Sequence, residues 1–379
     1  MQHCDHFPAC GGCKIRNLGY ETQMQEKMAE LQALFPDTPI EGPYIGPPSG
    51  YRSKMEFTFS QDRAGRRFLG LHQAKGRGRV EDIIRCHLMP AFCSEIQARV
   101  KSWWEASSLP AFFPPKNEGT LRTLTVRTGE ASQDILVILT ISGRLEFAPE
   151  PHHIEAFSHL FDDMGKVGVF LIIQKCEKGT PTLFLEKHLS GIDRISERLL
   201  EHVVTYSPQS FFQPNPIVYR HMLLKAREWL SPGPSDTILD LFCGIGTFAI
   251  SLAPYAGQVY GVELSSTSVA DAKENLTHLG IENMDVYCVD VKDFFASYGD
   301  FVRPNFALVD PPRAGLGEAA LRFFEERRFE KILYVSCNPH TQVSDIQKLK
   351  SYRVEKAALF DQFPHTVHME SMVLLTFAC

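Results

Sequence analysis

Ile238-Leu-Asp-Leu-Phe-Cys-Gly-Ile-Gly-Thr-Phe248 is the stretch that decides the fold. A short apolar run carries Asp240 and ends in the turn Gly244-x-Gly246, and an amphipathic segment follows. Glycines at such a turn let the backbone approach a nucleotide-like ligand closely. Ala249 stands where a third glycine of G-x-G-x-x-G would fall. On either side, apolar runs at Thr237–Cys243, Val259–Leu264, Asp285–Val289, Phe306–Val309 and Lys331–Val335 alternate with helical patterns such as Ser265–Leu279 and Gly317–Arg328. Strand and helix alternating at this spacing predict an α/β fold, a doubly wound parallel sheet that binds ligands at the carboxyl ends of its strands. The last two apolar runs, Arg353–Phe360 and Ser371–Phe377, have no long helix between them, which predicts an antiparallel pair added to that sheet.

The strand ends carry chemistry. Asp240 precedes the glycine turn, Glu263 closes the second strand and Asp290 follows the third. A carboxylate at a strand end accepts ribose hydroxyls, in NAD enzymes as well. Asp290, placed to meet an adenine, tips the balance toward S-adenosylmethionine. Asp310-Pro-Pro-Arg313 follows the fourth strand, its prolines fixing the backbone, and Ser336-Cys-Asn-Pro339 puts the thiol of Cys337 at the end of the fifth. Pyrimidine carbon 5 is too electron-poor to attack a sulfonium methyl. A thiolate adding at carbon 6 makes it nucleophilic, and a base must later remove the carbon 5 proton. The tail from Phe360 to Ser371 offers Glu370, His365 and His368 for that task, and burial of Glu370 among apolar neighbours would raise its pKa.

The first 200 residues read differently. Strand-like runs at Tyr51–Ser60, Arg67–His72, Leu121–Arg127, Ile135–Ile141 and Val169–Lys175, with helices near Gln23–Leu34 and Ala91–Ser107, predict a separate α+β domain. The proline-rich Tyr206–Pro216 marks the boundary, giving domains at 1–205 and 206–379. Length fits this division: 379 residues, 44% hydrophobic and 22% charged, suit two or three folded domains and exclude disorder or coiled coil. The net charge of −6 argues against a dedicated nucleic-acid binder, so a polyanion partner would need a local basic patch. Neither a membrane span nor a signal peptide is evident, which predicts a cytoplasmic protein.

Ten cysteines exceed what an ordinary cytosolic chain carries. Cys4, Cys10 and Cys13 form C-x5-C-x2-C, and Cys86 stands in Ile83-Ile-Arg-Cys-His-Leu-Met-Pro90. Three thiols from one glycine-containing loop plus a distant fourth suit zinc or an iron–sulfur cluster, leaning to the latter. Cys93, Cys176 and Cys288 read as small buried hydrophobes.

Five motifs together resemble, in order, the RNA uracil-5-methyltransferases: Gln209-Ser-Phe-Phe-Gln-Pro-Asn, Asp240-Leu-Phe-Cys-Gly-Ile-Gly, Asp310-Pro-Pro-Arg, Ser336-Cys-Asn-Pro and Phe363-Pro-His-Thr-Val-His-Met-Glu-Ser-Met-Val-Leu. The resemblance implies a class I, Rossmann-like methyltransferase domain with an N-terminal α+β iron–sulfur domain. It implies Cys337 as nucleophile, Glu370 as general base, and Gln213, Phe242, Asp240, Gly244, Glu263, Asp290 and Asp310 around S-adenosylmethionine. Cys4, Cys10, Cys13 and Cys86 are similar to the ligands of a [4Fe-4S] cluster in the 23S ribosomal RNA branch, which makes 23S rRNA the expected partner. Thr247 stands where some relatives have Asn, and the small N-terminal β-barrel of some members is not expected here.

For RNA contact, Gly50 to Pro90 holds nine Lys or Arg (Arg52, Lys54, Arg63, Arg66, Arg67, Lys75, Arg77, Arg79, Arg85) against four acids, interleaved with Tyr51, Phe57, Phe59 and Phe68. That mixture suits phosphate contact and base stacking. Three rivals remain at this point. An RNA cytosine-C5 methyltransferase would also use a strand-end thiol, but Pro311-Pro-Arg replaces its Pro-Cys. An amino-group methyltransferase would place an aromatic where Arg313 stands. A non-catalytic iron–sulfur RNA-binding protein would have no use for Cys337.

Overall fold

The computed structural model describes residues 3–76, 78–176, 179–298 and 302–378. In chain order its elements begin with α1 (Tyr20–Leu34), β1 (Ile40–Tyr44), β2 (Lys54–Gln61), β3 (Arg67–His72), β4 (Val80–Asp82), α2 (Cys93–Ala106), β5 (Leu121–Thr128), β6 (Ile135–Ser142), α3 (Pro151–Ser158), β7 (Val167–Lys175) and β8 (Leu183–Gly191). There follow β9 (Ile195–Leu199), β10 (His202–Tyr206), α4 (Pro216–Leu230), β11 (Thr237–Leu241), α5 (Thr247–Leu252), β12 (Gln258–Glu263), α6 (Ser266–Leu279), β13 (Met284–Cys288) and α7 (Val291–Tyr298). The chain ends with β14 (Phe306–Val309), α8 (Gly317–Arg327), β15 (Lys331–Ser336), α9 (Pro339–Ile346), β16 (Tyr352–Phe360) and β17 (Glu370–Phe377). No helix among the described residues is long and apolar enough to cross a membrane.

Two compact units form, one from residues 1–17 and 47–197, the other from 18–46 and 198–379. This departs from a single cut at residue 205. The segment 18–46 joins the C-terminal unit because β1 pairs in parallel with β16, Ile40 beside Ala357, and α1 packs on β16 and α9. Local sequence patterns carry no trace of so distant a pairing.

In the first unit the described strands order as β4-β3-β2-β5-β6-β7-β8. Neighbours run antiparallel except β6 and β7, which α3 connects as a parallel crossover. Period-2 alternation builds its core: along β2, Met55, Phe57 and Phe59 point inward while Lys54 and Glu56 face out. Phe59 meets Trp104 of α2 edge-on at 5.0 Å.

In the second unit the described strands order as β1-β16-β17-β15-β14-β11-β12-β13. From β13 to β15 the neighbours are parallel, and β17 is antiparallel to both β15 and β16, the added pair expected from the sequence. Strand order reverses between β11 and β14, the crevice where such sheets bind ligands. Asn215 starts α4 by accepting the Val218 N–H, with Pro216 in the first turn.

Candidate functional site

Because β11 to β15 are parallel, their carboxyl ends share one rim of the sheet. Antiparallel β17 begins at the same rim. Ser336 of β15 pairs with Ser371 of β17, so Cys337 and Glu370, each one residue further out, meet across the end of that ladder. The Ser371 hydroxyl, near the Ser336 carbonyl, donates to Gln342 Oε1 at 2.7 Å and locks the pair to α9.

Asp310, half-buried at the end of β14, accepts from Gln213 Nε2 at 3.2 Å. Burial pushes its carboxyl up to about 7, which the Gln213 bond only partly opposes. Glu370 is buried and its Oε2 has no hydrogen-bond partner. Burial, then the charge of Asp310, raises its pKa well above the usual range, while Arg313 pulls it down. The half-buried Cys337 thiol is raised by burial and by Glu370 and Asp310, and lowered by a hydrogen bond and the charge of Arg313. Thiol, two acids and one guanidinium therefore share a single electrostatic environment.

Beside them lies the glycine turn. Phe242, Gly244 and Gly246 all have positive φ, +62°, +58° and +78°. A Cβ added at Gly244 would meet no heavy atom within 4 Å, so open space lies above the turn. Glu263 holds the turn from the next strand: Oε2 accepts the Gly244 N–H at 3.0 Å and Oε1 that of Ser265 at 2.8 Å. Asp240 is buried with no well-formed hydrogen bond to either carboxylate oxygen; burial, then the charge of Asp310, raises its pKa well above the usual range, Glu263 adds to this, and the nearby Ala249 backbone N–H opposes it. Asp290 accepts the Lys292 N–H at 3.0 Å at the start of α7. Orphaned buried acceptors beside an open glycine cradle fit an adenosyl ligand, whose hydroxyls are donors.

Several supporting residues escaped the sequence reading. Asp271 on α6 accepts from Ser207 N–H, Ser207 Oγ and Ser210 Oγ at 2.8, 2.6 and 2.5 Å. One turn on, Asn275 brackets Thr205 through both its amide groups. The pair fixes the segment that delivers Gln213, and an Asp–Asn spacing of four on a predicted helix was the signal available. Phe212 of this segment stacks on Tyr206 at 4.7 Å, and Phe211 is 63% exposed. Thr247 bonds to buried Tyr219. His365 is buried with its ring against Gln23, and His368 Nδ1 lies 3.3 Å from Arg313 Nη2, leaving Glu370 as the candidate acid at the ladder end.

Residues 184–378 match the tRNA (uracil-5-)-methyltransferase family. The chain belongs to this family. It is an RNA methyltransferase, and its relatives agree over nearly the full length. An uncharacterized RNA methyltransferase of Protochlamydia amoebophila is 37% identical, over 98% of this chain and 90% of that protein. The 23S rRNA (uracil(747)-C(5))-methyltransferase RlmC of Shigella sonnei is 29% identical, over 97% of this chain and 96% of its own. In fold, the Pyrococcus abyssi tRNA (uracil-54, C5)-methyltransferase, solved with S-adenosyl-L-homocysteine, superposes with a TM-score of 0.77 at 24% identity, covering 97% of this chain and 85% of that one.

In the first unit, Cys4, Cys10, Cys13 and Cys86 line one small cavity. All four are free thiols, half-buried, and the Gly12 N–H points at Cys10 Sγ at 3.3 Å. Burial, with the neighbouring Cys86, Cys10 and Cys4, pushes Cys13 up to about 12. Among the described residues no group of three or more Cys, His, Asp or Glu is gathered closely enough to hold a metal ion. Cys93 is buried as expected, but Cys176 and Cys288 are exposed.

The basic segment needs a correction. Tyr51, Phe57 and Phe59 are core residues, so they are closed to base stacking; the strand period that carries the charges outward turns the aromatics in. Arg67 is structural as well, donating to Trp104 O and, at 3.0 Å, to Ser107 O at the end of α2. Lys54, Arg63, Arg66, Lys75, Arg79 and Arg85 are exposed, Arg52 is partly so, and Arg77 lies outside the described residues.

Proposed function

We propose that this enzyme methylates carbon 5 of a uridine in 23S ribosomal RNA, with S-adenosylmethionine as methyl donor, in the cytoplasm. The observation that carries the reading is that Cys337 and Glu370 each stand next to the last residue pair of one strand ladder, Ser336 with Ser371, and share an electrostatic environment with Asp310 and Arg313, Asp310 being bonded to Gln213. Support for ribosomal RNA comes from the RlmC relative, and for the donor from the orphaned Asp240 and the open space over Gly244.

Asp240, Phe242, Gly244, Glu263, Asp290, Gln213 and Asp310 would hold S-adenosylmethionine, which would supply an electrophilic methyl group. Everything else falls to side chains of the chain itself. The Cys337 thiolate, steadied by Arg313, adds to carbon 6 of uracil and pushes an electron pair toward carbon 5, which takes the methyl. Glu370 accepts the carbon 5 proton, the carbon 5–carbon 6 double bond reforms, and the carbon 6–sulfur bond breaks with its electrons returning to Cys337. A burial-raised carboxyl pKa makes Glu370 a stronger base than a free carboxylate. The exposed ring of Phe211, two residues before Gln213, is suited to stack on the flipped base.

Cys4, Cys10, Cys13 and Cys86 would hold a [4Fe-4S] cluster that staples the N-terminal loop to the strand region around Cys86. Its test is iron and sulfide content with visible absorption after anaerobic purification. Both should vanish in Cys13→Ser.

Incubation with S-adenosylmethionine and 5-fluorouracil-substituted 23S rRNA or tRNA transcripts decides the reaction and its substrate. Fluorine at carbon 5 cannot leave as a proton, so the enzyme should stall as an adduct stable in denaturing gels, on the ribosomal transcript and lost in Cys337→Ala. An adduct on tRNA alone would transfer the same chemistry to a tRNA uridine, the kind of substrate the Pyrococcus neighbour is named for. No adduct on either, with donor binding intact, would overturn the reading.

A further inference from the structure

A buried ion pair lies behind the catalytic rim. Lys27 of α1 is 2% exposed and Asp361 0%, and Lys27 Nζ donates to Asp361 Oδ1 at 2.6 Å. The second carboxylate oxygen accepts the Tyr20 hydroxyl at 2.6 Å, and Lys27 Nζ also approaches the Phe363 carbonyl at 3.3 Å. One turn earlier on the helix, Gln23 Oε1 accepts the His365 N–H at 3.0 Å and its Nε2 lies 3.2 Å from His365 Nδ1. His365 has a φ of +67°, a left-handed backbone that a non-glycine residue keeps only where its surroundings enforce it.

These contacts converge on one short connection. Asp361 directly follows Phe360, the cross-strand partner of Glu370, and residues 361–369 join that partner to Glu370 itself. Helix α1 thus grips the turn whose two ends are Glu370 and the residue that Glu370 pairs with. Buried ion pairs contribute little net stability compared with apolar packing of the same volume, but they tolerate few geometries. Nothing in the Cys337 chemistry touches Tyr20, Gln23, Lys27 or Asp361, so stability or placement are the roles open to them.

We infer that Gln23 and the Lys27–Asp361 pair are positioning residues that set the Glu370 carboxylate for removal of the carbon 5 proton. The inference rests on the proposed uracil-C5 chemistry and concerns only its last step, in which the C5–H bond breaks, the proton passes to Glu370 and the electron pair expels Cys337. Adduct formation and methyl transfer precede any demand on Glu370. A fault in its placement should therefore leave a methylated RNA still bound to the enzyme.

The test uses the full-length enzyme and whichever transcript the unaltered protein methylates. Removing one charge alone strands the other, so the main variant is the double Lys27→Met with Asp361→Leu, which keeps volume and leaves no buried charge; Gln23→Leu is the second. Single-turnover reactions with methyl-labelled donor are followed on denaturing gels. The expected result is near-normal methyl transfer, release of methylated RNA slowed by about tenfold or more, and a labelled protein–RNA adduct that accumulates. Release at the unaltered rate in both folded variants would overturn the inference, as would equal slowing of transfer and release, which marks a purely structural role. Failure of the uracil reading shows separately, as absence of the 5-fluorouracil adduct in the unaltered enzyme.

Discussion

Cys337 and Glu370 stand opposite one another one step beyond Ser336 and Ser371, the last residue pair of the β15–β17 ladder. Neither strand could place its residue alone. The parallel strand brings the thiol to the rim and the antiparallel one returns the carboxyl to it. In the proposed reaction the two side chains serve different steps, so they should fail differently. Cys337→Ala should abolish both methylation and adduct formation. Glu370→Gln should still add and methylate but release product about 10²–10⁴-fold more slowly, so that the adduct accumulates. Labelled donor and denaturing gels check both outcomes.

Gly244→Ala separates folding from ligand binding. At φ +58° an alanine costs about 1–2 kcal/mol, yet its methyl would meet no protein atom within 4 Å. The variant should fold with a modestly lower melting temperature. Calorimetric affinity for S-adenosylhomocysteine should fall at least tenfold, since the methyl fills the space assigned to the ligand; unchanged affinity would place the ligand elsewhere.

Asp310→Asn should reveal a pH-dependent strain. The carboxyl rises from an ordinary 3.8 to about 7 in the folded chain, so between those values the folded state binds more protons than the unfolded one. This group's contribution to stability therefore falls as pH climbs through that window and stays lost above it. Melting curves should show the Asn variant more stable than the unaltered protein at pH 8, with the gap closing toward pH 4. A gap independent of pH would show that Asp310 does not titrate in this way.

Neighbouring arginines in the first unit should behave unlike one another. Arg67 donates two hydrogen bonds to carbonyls at the end of α2 and lies over Trp104, 5.2 Å from the ring. Its replacement by Ala should cost about 1.5–3 kcal/mol in urea melts, the usual worth of a hydrogen bond to a charged group. Arg66, largely exposed, paired with Asp62 and lying over Phe68 at 5.9 Å, should cost little stability when changed to Ala and instead weaken RNA binding with a shallower salt dependence. If Arg66→Ala leaves RNA affinity untouched, the exposed charges of this segment are only a solvated face.

The parallel sheet and its rim were readable because unusual residues stand at the strand ends: glycines at a turn, Asp-Pro-Pro-Arg, and a thiol after Ser336. Both Asn-Pro helix starts, Asn215-Pro216 and Asn338-Pro339, carried a legible signal, yet they passed as linker and motif because their functional context drew the reading. Across the basic segment from Gly50 to Pro90 the charges stand out as a patch, but the strand period along β2 turns Phe57 and Phe59 inward, away from any base. β8 shows no alternation, exposed from Leu183 to His188, so nothing local marked it as a strand. Helix α1 was legible as a helix but its destination was not, since Gln23 and His365 are 342 positions apart.

Strand β1 has a consequence for how the enzyme is made. Its partner β16 leaves the ribosome about 300 residues later, which at about 5–20 residues per second is a wait of about 15–60 s. During that interval α1 and β1 are a tethered fragment without a sheet, and the catalytic rim cannot close until translation is nearly over. A chain truncated before its last strand lacks Glu370, and it also strands its own beginning, so incomplete products carry exposed apolar surface that quality-control proteases can recognise.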